Sequence, residues 1–177
     1  MPDAPSPKRR AIEAQLRELV RHVVPNARVF FPRRMNRRIR YSWNGRDLRP
    51  TGLTIESVCH EVAHVLVSAP HRRALPEFGL GPDPYRYSNA ARVAPDRDSE
   101  LEEADACTMQ LVLARLLGLD EGAVVDEVRA EPLTPSLLRE IRERHPDALP
   151  EEWWRRAMQT AESAVAYVAY CVPPPGA

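Results

Sequence analysis

Apolar residues recur at intervals of three and four along much of this chain, so its first expectation is helix. Ile12, Leu16, Leu19, Val20 and Val23 form one stripe between Lys8 and Val24, closed by Pro25. The pattern then changes. Val29-Phe30-Phe31 within Asn26–Phe31 reads as a short strand, and Ile39, Tyr41 and Trp43 alternate with Arg38, Arg40 and Ser42, a period of two that predicts a half-buried strand. Asn44-Gly45 marks a tight turn, followed up to Thr51 by a short return strand or a loop. Helical spacing resumes with Ile55, Val58, Cys59, Val62, Val65 and Leu66, with Thr54 as N-cap and Pro70 as stop.

Residues 70–98 contain five prolines and two glycines and predict a long excursion with at most one short strand. Beyond it, Leu101, Ala104, Cys107, Thr108, Leu111, Val112, Leu116 and Leu117 give a helix over Ser99–Leu117, with Ser99 and Glu102 as a capping box and Gly118 as stop. Three more helices are expected, over Asp120–Ala130, Pro135–Arg144 behind Thr134, and Pro150–Tyr170. The fold class is therefore α+β and mainly helical. A small N-terminal antiparallel sheet is expected to pack on the 53–69 helix and on the acidic 99–117 helix, with a helical C-terminal part. Residues 1–7 read as a loose leader, 8–171 as a single domain (8–52, 53–118 and 119–171 as its parts), and 172–177 as a loose tail.

Composition narrows the class. A chain of 177 residues that is 44% hydrophobic can bury one real core. No apolar run reaches the length that spans a bilayer, about 18 residues, and the N-terminus lacks the apolar segment of a signal peptide, so a cytoplasmic protein without membrane contact is expected. Cys59, Cys107 and Cys171 are odd in number and far apart, which argues for reduced thiols over a disulfide framework or a zinc finger. The formal net charge is zero, but Arg28 to Arg49 holds eight arginines against the single acid Asp47. That stretch is a candidate docking surface for nucleic acid or an acidic protein, or simply a solvated face that offsets the acidic helices.

The chemistry concentrates in the 53–69 helix, which carries His60-Glu61-Val62-Ala63-His64. Two histidines four apart lie on one helix face, where both imidazoles reach a single ion at about 2.0–2.1 Å. Glu61, the next residue round, faces the same site without ligating and is the candidate general base. Catalytic zinc usually takes three protein ligands, so a third is required. His71 follows His64 by seven residues with no glycine to turn the chain, and is discounted. Glu100 is close to the end of the acidic helix, and Glu102 is assigned to the capping box. Glu103 shares a face with Cys107, Gln110 and Leu111, flanked by the small Ala104 and Ala106, and is the favoured ligand, with Glu102 next. From the excursion, Tyr85, Tyr87 and Arg72 are the candidates for substrate contact.

The run from His60 to Val67, followed by Glu102-Glu103-Ala104-Asp105-Ala106-Cys107 and an apolar continuation to Leu113, resembles the ImmA/IrrE type of zinc metallopeptidase. The resemblance implies a zincin-like site in which Glu103 is the third zinc ligand, Glu61 is the base, and the substrate is a peptide or protein. Cys107 stands where that family carries Phe. A second likeness competes. His60 through Pro70-His71-Arg72-Arg73 to Glu77-Phe78-Gly79 is similar to the elongation factor P hydroxylase type, which implies Fe2+ and O2-dependent hydroxylation. Two histidines and a carboxylate suit either metal. The third expectation is a non-catalytic binding or regulatory module using its Arg-rich stretch.

Overall fold

The computed structural model describes residues 5–32, 41–50, 54–82, 89–128 and 133–171, without the side chains of 126–128 and 164–171. The architecture is α+β and mainly helical. Its elements are α1 (Pro7–Val23), β1 (Arg28–Val29), β2 (Asp47–Leu48), α2 (Ile55–Val67), α3 (Asp96–Leu117), α4 (Glu121–Val128), α5 (Pro135–Arg144) and α6 (Glu151–Cys171).

The molecule is organised around α2, which packs chiefly on α3 and then on α1. Val58, Cys59, Val62, Ala63, Val65, Leu66 and Val67 are all buried, so α2 sits largely inside the molecule and leaves Glu56, Ser57, His60 and Glu61 partly exposed along one face. Its ends follow the local chemistry. The Thr54 hydroxyl accepts the Ser57 N–H at 3.1 Å, and Arg73 donates to the terminal carbonyls of Leu66 and Ser68 at 3.1 and 3.0 Å. Around it, Leu16, Leu19 and Val20 of α1, Met109, Leu111, Val112 and Leu113 of α3, Leu138 and Ile141 of α5, and Trp154 of α6 close one continuous core.

Several expectations are corrected. Helix α1 begins at Pro7, one residue before the expected Lys8, because the Ser6 hydroxyl caps it by accepting the Arg9 N–H at 3.2 Å. The strand pair is parallel, Arg28 opposite Asp47 and Val29 opposite Leu48, where an antiparallel sheet was expected. The Asn44-Gly45 turn does form: the Asn44 Oδ1 accepts the Arg46 and Asp47 N–H groups, and Trp43 and Leu48 make one antiparallel bridge. Gly45 has φ of +91°, and a Cβ there would meet the Ala74 carbonyl oxygen at 2.3 Å. The return strand instead finds its ladder with β1, because Arg28 grips Asp47 through two 2.7 Å hydrogen bonds. Residues 33–40, including the first half of the alternating stretch, lie outside the described residues.

The acidic helix starts at Asp96 behind Pro95, one turn before Ser99, so the predicted capping box does not exist. Asp96 and Asp98 in the first turn suit the helix dipole. Ser99 lies inside the helix with its hydroxyl buried and without a hydrogen-bond partner. The described parts of the excursion fold back on the core through two 3-10 turns, Pro70–Arg72 and Glu77–Gly79, and two isolated bridges, Asn44 to Pro76 and Leu80 to Arg92. Among the described residues no helix is long and apolar enough to cross a membrane.

Candidate metal centre

The docking of α3 on α2 brings Glu103 against the exposed edge of the HExxH face. Its Oε1 lies 3.4 Å from His60 Nε2, its Oε2 lies 3.3 Å from His64 Nε2, and the two Nε2 atoms are 3.2 Å apart. Each carboxylate oxygen thus faces its own histidine, and the two imidazole nitrogens and the carboxylate group form a compact triangle. Ligands bound at about 2.0–2.1 Å in tetrahedral geometry stand about 3.3–3.4 Å from one another, so the two imidazole nitrogens, and each nitrogen with the oxygen that faces it, already have the pairwise spacing of zinc ligands. The imidazole planes are perpendicular, with centroids 4.7 Å apart. His64 is buried, His60 partly so, and the Glu103 side chain is more than half exposed, which leaves the triangle open toward solvent on the Glu103 side.

The electrostatics describe a site that favours a cation. The hydrogen bond to His64 holds the Glu103 carboxyl far below the ordinary carboxylate range, at about 2. Burial opposes charging of His64, but the facing Glu103 carboxylate, with Glu61 and Glu102 behind it, outweighs burial and pushes its pKa up. Burial and the neighbouring His64 push His60 down. Metal binding at such a cluster displaces protons, because the ligand atoms must present free lone pairs. His60 Nδ1 lies 3.0 Å from Gln110 Oε1, whereas His64 Nδ1 is buried without a partner.

Glu61 is fixed from the other wall. Its Oε1 accepts the Ser42 hydroxyl at 2.9 Å, and the Ser42 N–H donates to Glu77 Oε1 at 2.6 Å. Its charge favours the protonated form of both imidazoles, against the burial that opposes it, which places it electrostatically at the same centre. Glu77 and Phe78 both have positive φ, +46° and +55°, unusual for residues with a side chain. Such backbone costs about 1–3 kcal/mol per residue and persists only where surroundings over-determine it. Here the Glu77 N–H donates to the Trp43 carbonyl at 2.9 Å, and the Phe78 ring stacks between Trp43 and His64 at centroid distances of 5.6 and 6.0 Å. The turn therefore braces His64 through a ring and Glu61 through Ser42.

Other sequence candidates occupy different places. Glu102 is buried on another side of α3, ion-paired with Arg72 and 2.9 Å from the Ser68 hydroxyl. Arg72, expected to touch substrate, is only 8% exposed and spends its guanidinium on Glu102 and on the Phe78 carbonyl at 2.9 Å. It supports the fold. Tyr85 and Tyr87 lie outside the described residues. Asp105 is taken by Arg144 and His145 at 2.7 and 2.6 Å.

Cys107 stands beside the triangle, its Sγ 3.9 Å from Glu103 Oε1, and forms with His60 and Glu103 a group whose ligand atoms fall within 4.8 Å. A thiolate at its usual zinc distance of about 2.3 Å would need to be about 3.5–3.6 Å from the other ligands, so the two histidines and the carboxylate match the better geometry. Burial and then Glu103 push the Cys107 thiol up to about 11, and burial pushes Cys59 up to about 12. A cavity of about 530 Å³ is lined by Arg73, Arg144, His145 and Asp147 and includes none of His60, Glu61, His64 or Glu103. Within its lining Asp105 is taken by Arg144 and His145, Glu102 by Arg72, and Arg73 by two backbone carbonyls.

Of the arginines in the 28–49 stretch, Arg28 and Arg49 are both tied to Asp47 and flank the Phe30 ring, while Arg46 is exposed. Comparison with known proteins finds no matching family model, no matching curated protein and no matching solved structure. Ser42, Glu77, Phe78 and Gln110 were not assigned a part in the site from the sequence. Only the Glu103-to-Gln110 interval of seven residues, two helical turns, put one of them on the right face.

Proposed function

We propose that this chain is a zinc-dependent hydrolase of the metallopeptidase type, acting on a peptide or protein substrate. The observation that carries the reading is the triangle of His60 Nε2, His64 Nε2 and the Glu103 carboxylate, the nitrogens 3.2 Å apart with one carboxylate oxygen against each, at 3.4 and 3.3 Å. His60, His64 and Glu103 would hold Zn2+, and the open side facing solvent would admit a water and a substrate carbonyl. Bound there, the metal supplies Lewis acidity that lowers the pKa of water and polarises the carbonyl.

Glu61 does the proton work. Held at Oε1 by Ser42, its carboxylate takes a proton from the attacking water and returns it to the leaving amine. The Ser42 bond keeps that carboxylate from rotating away, and Phe78 packed on His64 keeps one ligand ring in a single orientation. The resemblance to the ImmA/IrrE type agrees with this assignment of roles.

An iron-dependent hydroxylase is the second reading. It is favoured by the Phe78 and Arg72 contacts, because the residues of the elongation factor P hydroxylase likeness adjoin His64 and Glu102. Metal analysis of protein purified without added metal separates the two. One zinc per chain, absent from His64→Ala and Glu103→Ala, supports the hydrolase; stoichiometric iron with O2 consumption supports the hydroxylase. Glu61→Gln is expected to keep its metal and lose about 100-fold or more of peptide hydrolysis. Unchanged turnover in that variant removes Glu61 from the mechanism.

A further inference from the structure

We propose that Gln110 is a positioning residue that presets His60 as a metal ligand by holding the imidazole in its Nδ1–H tautomer. Gln110 is fully buried in α3, and its two polar ends have two different partners on α2. Oε1 lies 3.0 Å from His60 Nδ1, and Nε2 donates to the Glu56 backbone carbonyl at 3.2 Å. The Glu56 carbonyl can only accept, so the amide NH2 must face it, and the amide oxygen is left for the imidazole. A carbonyl oxygen cannot donate. The hydrogen of neutral His60 therefore sits on Nδ1.

The consequence falls on the opposite ring nitrogen. With Nδ1 protonated, Nε2 presents its lone pair toward Glu103 and His64, at 3.4 and 3.2 Å. This is the form a metal ligand must have, reached before any ion arrives. His64 has no such device, since its Nδ1 is buried without a partner. The two histidines are thus unequal, His60 fixed by α3 and His64 steered by the ring of Phe78 and the charge of Glu103. Glu103 and Gln110 lie two turns apart on one face of α3, and Glu56 and His60 one turn apart on α2, so the docking of the two helices sets the tautomer and supplies the third ligand together.

The inference rests on the zinc reading for its purpose, but its test is separable from it. In the full chain, before and after zinc is added, the imidazole nitrogen shifts of His60 identify its tautomer, and competition with a chromophoric chelator gives the zinc dissociation constant. Gln110→Met removes acceptor and donor together, whereas Gln110→Glu keeps the acceptor for His60 and discards the donor to Glu56. Both variants are expected to be less stable than wild type, so a stability loss common to both is the structural background. The expected result is Nδ1–H in wild type and Gln110→Glu. In Gln110→Met it is a shift toward Nε2–H with zinc affinity about 10–100-fold weaker.

An Nε2–H tautomer in the wild type overturns the proposal whatever the variants do. So does a folded Gln110→Met variant with wild-type tautomer and wild-type affinity. Wild-type protein that binds no zinc, yet shows the tautomer change in Gln110→Met, overturns the zinc reading and leaves the positioning of His60 supported.

Discussion

Replacing Arg72 by Met asks whether this arginine is a structural strut or a substrate contact. Both Arg72 and Glu102 are buried, 8% and 6% exposed, and the guanidinium also donates to the Phe78 carbonyl. Removing it leaves the Glu102 carboxylate in the interior without its ion-pair partner and with the Ser68 hydroxyl as its hydrogen-bond donor. Leaving one member of a buried pair uncompensated costs about 3–5 kcal/mol. For a chain of this size, about 2–4 °C of melting temperature follows each kcal/mol, so a fall of roughly 6–20 °C is expected. The Arg72→Met/Glu102→Met double variant removes the stranded charge. It should recover about 2–3 kcal/mol of that loss, with the remainder reflecting the orphaned Phe78 carbonyl. Urea denaturation followed by circular dichroism reads all four corners of the cycle. A single Arg72→Met variant within about 0.5 kcal/mol of wild type, or a double variant no better than the single, would refute the strut and return Arg72 to the list of substrate contacts.

Two further outcomes can be checked quickly. Hydrogen bonding to Arg28 holds the Asp47 carboxyl below its ordinary value of 3.8. Its contribution to stability is therefore present above pH 3.8 and is lost as pH falls through its lower folded value. Asp47→Asn should lower the urea midpoint at pH 5 by the equivalent of about 1 kcal/mol, because its arginine partners are partly exposed, and should narrow its gap to wild type at the acid end. An equal gap at both pH values would contradict the ion-pair account of β2. For the metal centre, zinc at 100 times its dissociation constant should stabilise the fold by about 2.7 kcal/mol, read as a rise of roughly 5–11 °C in melting temperature over the chelated protein. Wild-type and Glu103→Ala protein responding equally to zinc would show that binding occurs elsewhere.

How much of this was legible in the sequence depended on how local the signal was. The limits of α2 follow from Thr54 and Pro70, and α5 from Thr134 and Pro135, because capping is decided within a turn. Glu103 could be placed on the site-facing side of its helix because helical periodicity carries from residue 103 to 110. The capping box failed for the opposite reason. Ser99 and Glu102 have the right spacing, but Pro95 starts the helix a turn earlier, and the buried Arg72, 30 residues away in the chain, takes Glu102. Parallel pairing of Arg28 with Asp47 is likewise a long-range choice that no local pattern states. Nothing in Glu77-Phe78 announces two left-handed residues, since neither is Gly or Asn; the backbone there is dictated by Trp43, Ser42 and Arg72 closing around it.

The candidate ligand positions 60 and 103 lie 43 residues apart on two helices. An ion held by both would act as a removable cross-link that closes the intervening segment into a loop. The entropy of closing such a loop grows only logarithmically with its length, so even doubling the segment costs about 0.6 kcal/mol. Insertions and deletions between the Gly81 and Ala90 flanks are therefore weakly penalised so long as the Glu77–Gly79 turn and the Arg72–Glu102 pair remain. The clasp can stay fixed while the stretch between its two helices changes length, so the spacing of the two motifs in the chain is free to drift without dismantling the centre.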